Sequence, residues 1–162
     1  MKFLCDEMLK GLAKWLRAAG YDTETAPEGT PDRKLIDRAQ QERRILLTRD
    51  RKLMERKIPD AHILLLGCNR LDDCIDELRT RVGVDWLHRP FSRCLRCNTP
   101  LEEAAAERWQ EVPESSRQAA TLLRWCPACR QLFWDGSHVA RMRERLQQAN
   151  AAAPRPPSPP TD

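Results

Sequence analysis

Four cysteines and three aspartates carry most of the chemistry that can be read from this 162-residue chain. Cys94-Leu-Arg-Cys97 and Cys126-Pro-Ala-Cys129 each present two thiols from one tight turn, with 28 residues between the pairs. Two such knuckles complete a tetrahedral four-thiolate shell suited to Zn²⁺, and with four protein ligands the site has no open position, so it is structural. Cys5, Cys68 and Cys74 have no ligand spacing and read as small buried apolar residues. Seven cysteines is an odd count, and the N-terminus lacks a signal-peptide pattern, so a disulfide framework is not expected.

The aspartates are Asp6, Asp32 and Asp50. Asp6 follows the apolar run Phe3-Leu4-Cys5 and precedes Leu9, Leu12, Ala13 and Leu16 at helical spacing, with Gly20 as a stop. In an open α/β sheet the carboxyl ends of the strands line the ligand crevice, so an acid placed there faces whatever binds. Asp50 lies just past a second apolar run, and Asp32 heads a helix. If the first and third strands are parallel neighbours, Asp6 and Asp50 share an edge and Asp32 enters from the adjacent loop. Several carboxylates in one crevice repel each other unless a hard divalent cation joins them, and Mg²⁺ or Mn²⁺ suits an all-oxygen site. Such an ion activates water and offsets charge on a phosphodiester. Arg49, Arg51 and Lys52 stand ready to hold the substrate backbone, within a stretch from 43 to 57 that has seven basic side chains and two acidic ones. Each acid also has a plain role as a helix cap, and a charge run also makes a solvated helix face.

The elements that position these residues follow from the pattern. Tyr21–Thr25 reads as a second strand, and Thr30-Pro31 as an N-cap with proline at the first helical position, followed by a helix with Leu35, Ile36 and Ala39 on its buried face. Arg44–Thr48 is a buried strand, 51–57 a short basic helix, His62–Leu66 a fourth strand, and about 72–82 a helix. Strands alternating with helices imply a mainly parallel sheet. Residues 88–92 read as a connector, so the division is 1–88 for the sheet unit, 89–148 for the cysteine unit with its C-terminal helix, and 149–162 as a disordered Pro-rich tail. Leu101–Ala106 and a stretch near 117–123 are helix-friendly, and Ser137 reads as the N-cap of a last helix over 138–146. There is no run of 18 apolar residues, and the expectation is a cytoplasmic protein with no membrane association. A net charge of +4 is too small to argue for nucleic-acid binding by itself.

The run KFLCDEMLKGLAKWLRAAGYDT, the later PDRKLIDRAQQERRILLTRD and the cysteine pairs together resemble the PIN-like ribonuclease family. The nearest branch is the domain first noted at the C-terminus of an exonuclease called mut-seven, which carries a zinc ribbon behind the sheet; the resemblance spans about residues 1 to 146. It implies an α/β fold with a PIN-like, mainly parallel sheet flanked by helices, followed by a small four-cysteine zinc-ribbon domain. It also implies a metal-dependent ribonuclease acting on RNA, with Asp6, Asp32 and Asp50 as catalytic residues and ligands of Mg or Mn, and Glu7 as a weaker fourth candidate that better suits a supporting or capping role. PIN domains often add an acid after the fourth strand; here that place is missing, or is filled by Asn69, Asp72 or Asp73, and the two aspartates suit helix capping. Arg17 and Lys14 either face the crevice as substrate-binding groups or lie on a solvated helix face. Trp134, His138, Arg141 and Arg145 are candidates for RNA contact, although Trp134 equally suits packing of the ribbon.

Two other functions share some of these features. One is an RNA-binding adaptor that uses the same scaffold without turnover. The other is a phosphoacceptor receiver, which needs a hydroxyl residue ending the fourth strand and a lysine ending a fifth; here the fourth ends in Leu66-Gly67 and no fifth with lysine is visible. No Gly-rich phosphate loop or Ser-His-Asp set is present.

Overall fold

A computed structural model describes residues 1–55, 62–118 and 120–151. The first unit is α/β: β1 (Lys2–Cys5), α1 (Lys10–Ala18), β2 (Asp22–Thr25), α2 (Asp32–Gln41), β3 (Ile45–Thr48), α3 (Arg51–Glu55), β4 (Ile63–Leu65) and α4 (Leu71–Val82). The four strands form one parallel sheet in the order β2-β1-β3-β4, with Leu4 opposite Leu46 and Leu46 opposite Ile63. The side-chain period of two divides each strand between the faces. Phe3, Cys5 and Leu47 pack with α1 and α4, while Leu4 and Leu46 pack with Leu35, Ile36 and Ala39 of α2 and Leu53 of α3. Helices on both faces explain why β1, β3 and β4 are apolar runs rather than alternating ones, whereas the edge strand β2 is polar.

Residues 93–134 form a second, smaller unit. A three-stranded antiparallel sheet, β5 (Glu102–Glu103), β6 (Leu123–Cys126) and β7 (Gln131–Trp134), stands beside the Cys94–Cys97 turn, with α5 (Glu114–Arg117) between β5 and β6. Glu102 and Glu103 are therefore strand residues, paired with Trp125 and Arg124, and the helix expected over 101–106 is replaced by β5. The ladder bonds to β6 override a helix propensity that is only a weak preference. The helical turn expected near 117–123 lies earlier, at α5, because Leu123 already belongs to β6.

The last helix, α6 (Ser137–Ala151), returns to the first unit, where Met142 and Leu146 join the same core as Phe3, Leu16, Leu78 and Trp86. It begins one residue before the expected body and runs through Ala149, Asn150 and Ala151, which were expected in the disordered tail. Two of them have partners: Ala149 packs on the core, and Asn150 Oδ1 accepts the Trp86 backbone N–H at 3.1 Å. The remainder of the tail, 152–162, lies outside the described residues, as do positions 56 and 57 of the expected basic helix.

Two expectations are corrected by local geometry. Thr30 does not cap α2; its hydroxyl donates to the Pro27 carbonyl at 2.6 Å, and Pro31 occupies the N-cap position. Cys68 and Cys74 are buried as expected, yet they are joined in a disulfide across the five residues between them, where the chain leads from β4 into α4, so one cross-link exists where none was anticipated. Spacing between two cysteines carries no information on whether they meet across a loop and a helix turn. Gly20, in contrast, is required by geometry: φ is +98° and a Cβ there would lie 2.3 Å from the Arg89 carbonyl oxygen.

Candidate acidic cleft and four-cysteine centre

The strand order reverses between β1 and β3, and the carboxyl ends of these two strands open a crevice at that switch point. Asp6, Asp32 and Asp50 line one cleft there, of about 120 Å³, together with Glu7, Thr30 and the Pro27–Gly29 loop. Asp6 is 6% exposed, and both of its carboxylate oxygens accept hydrogen bonds. Its Oδ1 accepts the Met8 N–H at 2.9 Å, and its Oδ2 accepts the Thr48 hydroxyl at 2.6 Å and the Arg49 N–H at 3.3 Å. Asp6 is thus the N-cap of the short 3₁₀ turn Glu7–Leu9 and a cleft residue at once; the two readings of this acid do not compete.

Thr48 ends β3 and serves both neighbouring acids. Its oxygen donates to Asp6 and accepts the Asp50 N–H at 3.0 Å, while Asp50 Oδ1 accepts the Lys52 N–H at 2.9 Å. Thr48 was not singled out from sequence, and the signal was a hydroxyl residue closing an otherwise apolar strand beside an acid. Glu7 Oε2 accepts the Gly29 N–H at 2.6 Å, so it ties down the loop that leads to Asp32, the first residue of α2. The acids of the segment after β4 serve elsewhere. Glu77 accepts the Gly67 N–H at 3.1 Å, Asp72 pairs with Arg145 of α6, and none of Asn69, Asp72 and Asp73 lines the cleft.

The basic residues separate into two groups. Arg49 is half-buried beside Asp6, and Arg51 and Lys52 are exposed on α3 next to the cleft. Arg17 lies elsewhere, contrary to its expected role in substrate binding. It is 7% exposed, and its guanidinium donates to the carbonyls of Thr23 at 2.8 Å, Leu95 at 3.2 Å and Arg96 at 2.8 Å, and to Thr25 Oγ1 at 2.9 Å. It clamps α1 and β2 to the first cysteine turn. Helical spacing placed it on α1 but could not show which carbonyls come to meet it. Arg145, with its charge paired to Asp72, also lies 5.0 Å from the Trp15 ring centre.

The four cysteines converge. The sulfurs of Cys94, Cys97, Cys126 and Cys129 all lie within 4.8 Å of one another, with 3.9 Å between Cys94 and Cys129 and 3.4 Å between Cys97 and Cys126. A zinc ion with four thiolates at about 2.3 Å sets its sulfurs about 3.8 Å apart, so the cluster fits one such ion. Each turn bends through a left-handed residue, Asn98 at φ 68° and Arg130 at φ 52°. Burial pushes the Cys97 thiol up, but Thr99 and the neighbouring thiols bring it down to about 6, while Cys129 is pushed up to about 12 by its contact with Cys97 and by burial. The Cys97 thiol is held down while those of Cys126 and Cys129 are held up, because adjacent thiolates repel; a dication removes that repulsion.

Among the described residues no helix is long and apolar enough to cross a membrane. The chain is 22% identical to the human protein "Exonuclease mut-7 homolog" over an alignment covering 98% of this chain and 27% of that one, so it spans about a quarter of the relative's length. No solved structure matches it. A family model described as the Mut7-C RNAse domain matches residues 1–146, from the first strand of the parallel sheet through the cysteine unit and into α6, and the chain belongs to that family.

Proposed function

We propose that the chain is a metal-dependent ribonuclease that hydrolyses RNA phosphodiester bonds at the acidic cleft, with the zinc ribbon bracing the fold and assisting RNA binding. The observation that carries this is the convergence of Asp6, Asp32 and Asp50 on one cleft at the switch point of a parallel sheet. Family membership supports it independently. The three carboxylates form an all-oxygen donor set of the kind that holds Mg²⁺ or Mn²⁺, and a bound ion of this type supplies an activated water and offsets charge on the scissile phosphate. The chain's own contribution is positioning. Thr48, Arg49 and Met8 fix the Asp6 carboxylate, Lys52 fixes that of Asp50, and Glu7 holds the loop before Asp32. Arg49, Arg51 and Lys52 lie beside the acids, where they would pair with phosphates on either side of the scissile bond. Cys94, Cys97, Cys126 and Cys129 would hold the zinc.

One observation favours a second reading, an RNA-binding adaptor without turnover: among the described residues the segment after β4 adds no acid to the cleft. Incubating purified, zinc-loaded protein with single-stranded and structured RNAs in Mn²⁺ or Mg²⁺ separates the two. The ribonuclease reading expects cleavage that stops when the divalent ion is withheld and that is lost in folded Asp6→Asn and Asp50→Asn variants. Binding without cleavage, or variants that cut like wild type, would overturn it.

A further inference from the structure

The opposite end of the parallel sheet carries a second concave surface that the cleft chemistry does not use. A groove of about 660 Å³ opens where the amino ends of β1 and β2 meet the 88–93 connector and the cysteine unit. Lys2, Arg89, Arg93 and Arg124 line it, from three different parts of the chain, and its one acid is Asp22. Asp22 is already engaged: its Oδ1 accepts from Arg44 at 2.6 Å and from Asn98 at 2.7 Å, and Arg93 stands 3.9 Å from its Oδ2. Among the described residues Lys2, Arg89 and Arg124 make no ion pair, and Arg124 Nε is buried without a hydrogen-bond acceptor. Cations gathered from separate segments around one concavity repel each other unless an anion joins them. At the same rim, the exposed His88 stacks one face of its ring on Tyr21, with centres 4.8 Å apart and planes 16° apart.

The geometry points to this groove as a binding track for single-stranded RNA, holding a part of the strand remote from the acidic cleft. Cations set across the seam between two units match an extended polyanion better than a compact one, and an exposed ring beside them offers a base a stacking platform. An acidic peptide would use the charges and leave the ring idle. The inference rests on the ribonuclease reading for its choice of RNA, but it concerns affinity and not cleavage.

The test is fluorescence anisotropy of a labelled single-stranded RNA with the full, zinc-loaded chain over a range of salt, with Mg²⁺ and Mn²⁺ withheld. The combined variant Lys2→Ser, Arg89→Ser, Arg124→Gln should bind at least about tenfold more weakly and flatten the salt slope by about 2, since each phosphate contact on a single strand contributes about 0.7. His88→Ala should weaken binding about tenfold and leave the slope unchanged, because stacking releases no counterions. A control that removes the exposed Arg33, Lys34 and Arg70, which lie outside the groove, should bind like wild type. Unaltered zinc content and melting of every variant are required for the comparison. The groove is refuted if the combined variant binds like wild type, if the control loses as much, or if wild type does not bind RNA. Cleavage of the same RNA in Mn²⁺, measured separately, keeps the two readings apart. A wild type that cuts while the combined variant binds normally sinks the groove alone; a groove-dependent binder that never cuts sustains the groove and sinks the nuclease.

Discussion

The Asn98 side chain closes the open edge of the parallel sheet by accepting the Thr23 N–H on its Oδ1 at 2.9 Å. β2 is the edge strand, and the carbonyl of the same Thr23 accepts from Arg17. Both edge-facing groups of a fully buried residue are thus met by side chains, one of them from the first cysteine turn. Asn98 also donates to Asp22 and Glu24, so one amide joins the turn to three successive residues of the strand. Asn98→Ala leaves a buried N–H without an acceptor, at a cost of about 1–3 kcal/mol. It also puts a residue less tolerant of φ 68° at that position. Urea denaturation should show a loss in this range; a loss below about 0.5 kcal/mol would mean that water replaces the amide.

Removal of zinc should lower the melting temperature of the whole chain, not of the cysteine unit alone. Arg17 reaches the carbonyls of Leu95 and Arg96 inside the first knuckle, and α6, which follows the second, is built into the main core. Metal binding free energy is folding free energy for a site that does not exist in the unfolded chain. Circular dichroism of helix content through a melt, with and without a chelator, reads this directly. An unchanged α/β transition after zinc loss would show that the units are energetically separate.

The parts legible in sequence are those fixed by local period and spacing. The four strands, the order of acids along them and the two cysteine turns all follow from contiguous residues. The parts not legible depend on which distant groups meet. Arg17 and Arg51 are both arginines near acids, but three backbone carbonyls surround the first and solvent the second. Thr48 bridges Asp6 and Asp50 only because β1 and β3 are neighbours in register, with Cys5 opposite Leu47. The Cys68–Cys74 bond needed the turn from β4 into α4 to bring its partners together.

Acid should destabilise the fold through Asp22. Burial alone would raise its carboxyl, but Arg44, Asn98 and Arg93 outweigh burial and hold it below its usual value. A depressed folded-state value means that stability is fully present above the unfolded value, about pH 4, and is lost as pH falls through the folded one. Glu42, held down first by Arg38, and Asp135, where Thr121 and Leu122 overcome burial, act in the same direction. The contribution of these three carboxylates should therefore be flat from neutrality to about pH 5 and fall below about pH 4. Asp22→Asn should be less stable at neutral pH and show a shallower acid limb, measured by urea midpoints across pH. An acid limb identical to wild type would remove Asp22 from this account.

Gly20→Ala should be among the most damaging single substitutions outside the cleft. The new Cβ would meet the Arg89 oxygen at 2.3 Å in a backbone conformation that L-residues avoid, and Arg89 cannot retreat without breaking its N–H bond to Ala19. Backbone strain of this type costs about 1–3 kcal/mol, and the clash adds to it. A urea midpoint within error of wild type would show that the 88–92 connector yields.

Thr48→Val tests whether the cleft works through positioning. It keeps shape while removing the hydroxyl that donates to Asp6 and accepts from Asp50. The loss should be about 1–3 kcal/mol of stability, because a buried carboxylate oxygen and a backbone N–H each lose a partner. RNA cleavage in Mn²⁺ should fall by about 10- to 100-fold, in line with a ligand-orienting group. RNA affinity, measured with the divalent ion withheld, should stay at the wild-type level, since Thr48 is fully buried and offers the strand no contact. Thr48→Ser restores the hydroxyl and should recover most of the activity. If Val and Ser are equally active, Asp6 keeps its geometry without Thr48 and the positioning role is lost; if both are equally inactive, the methyl group and not the hydroxyl shapes the strand end.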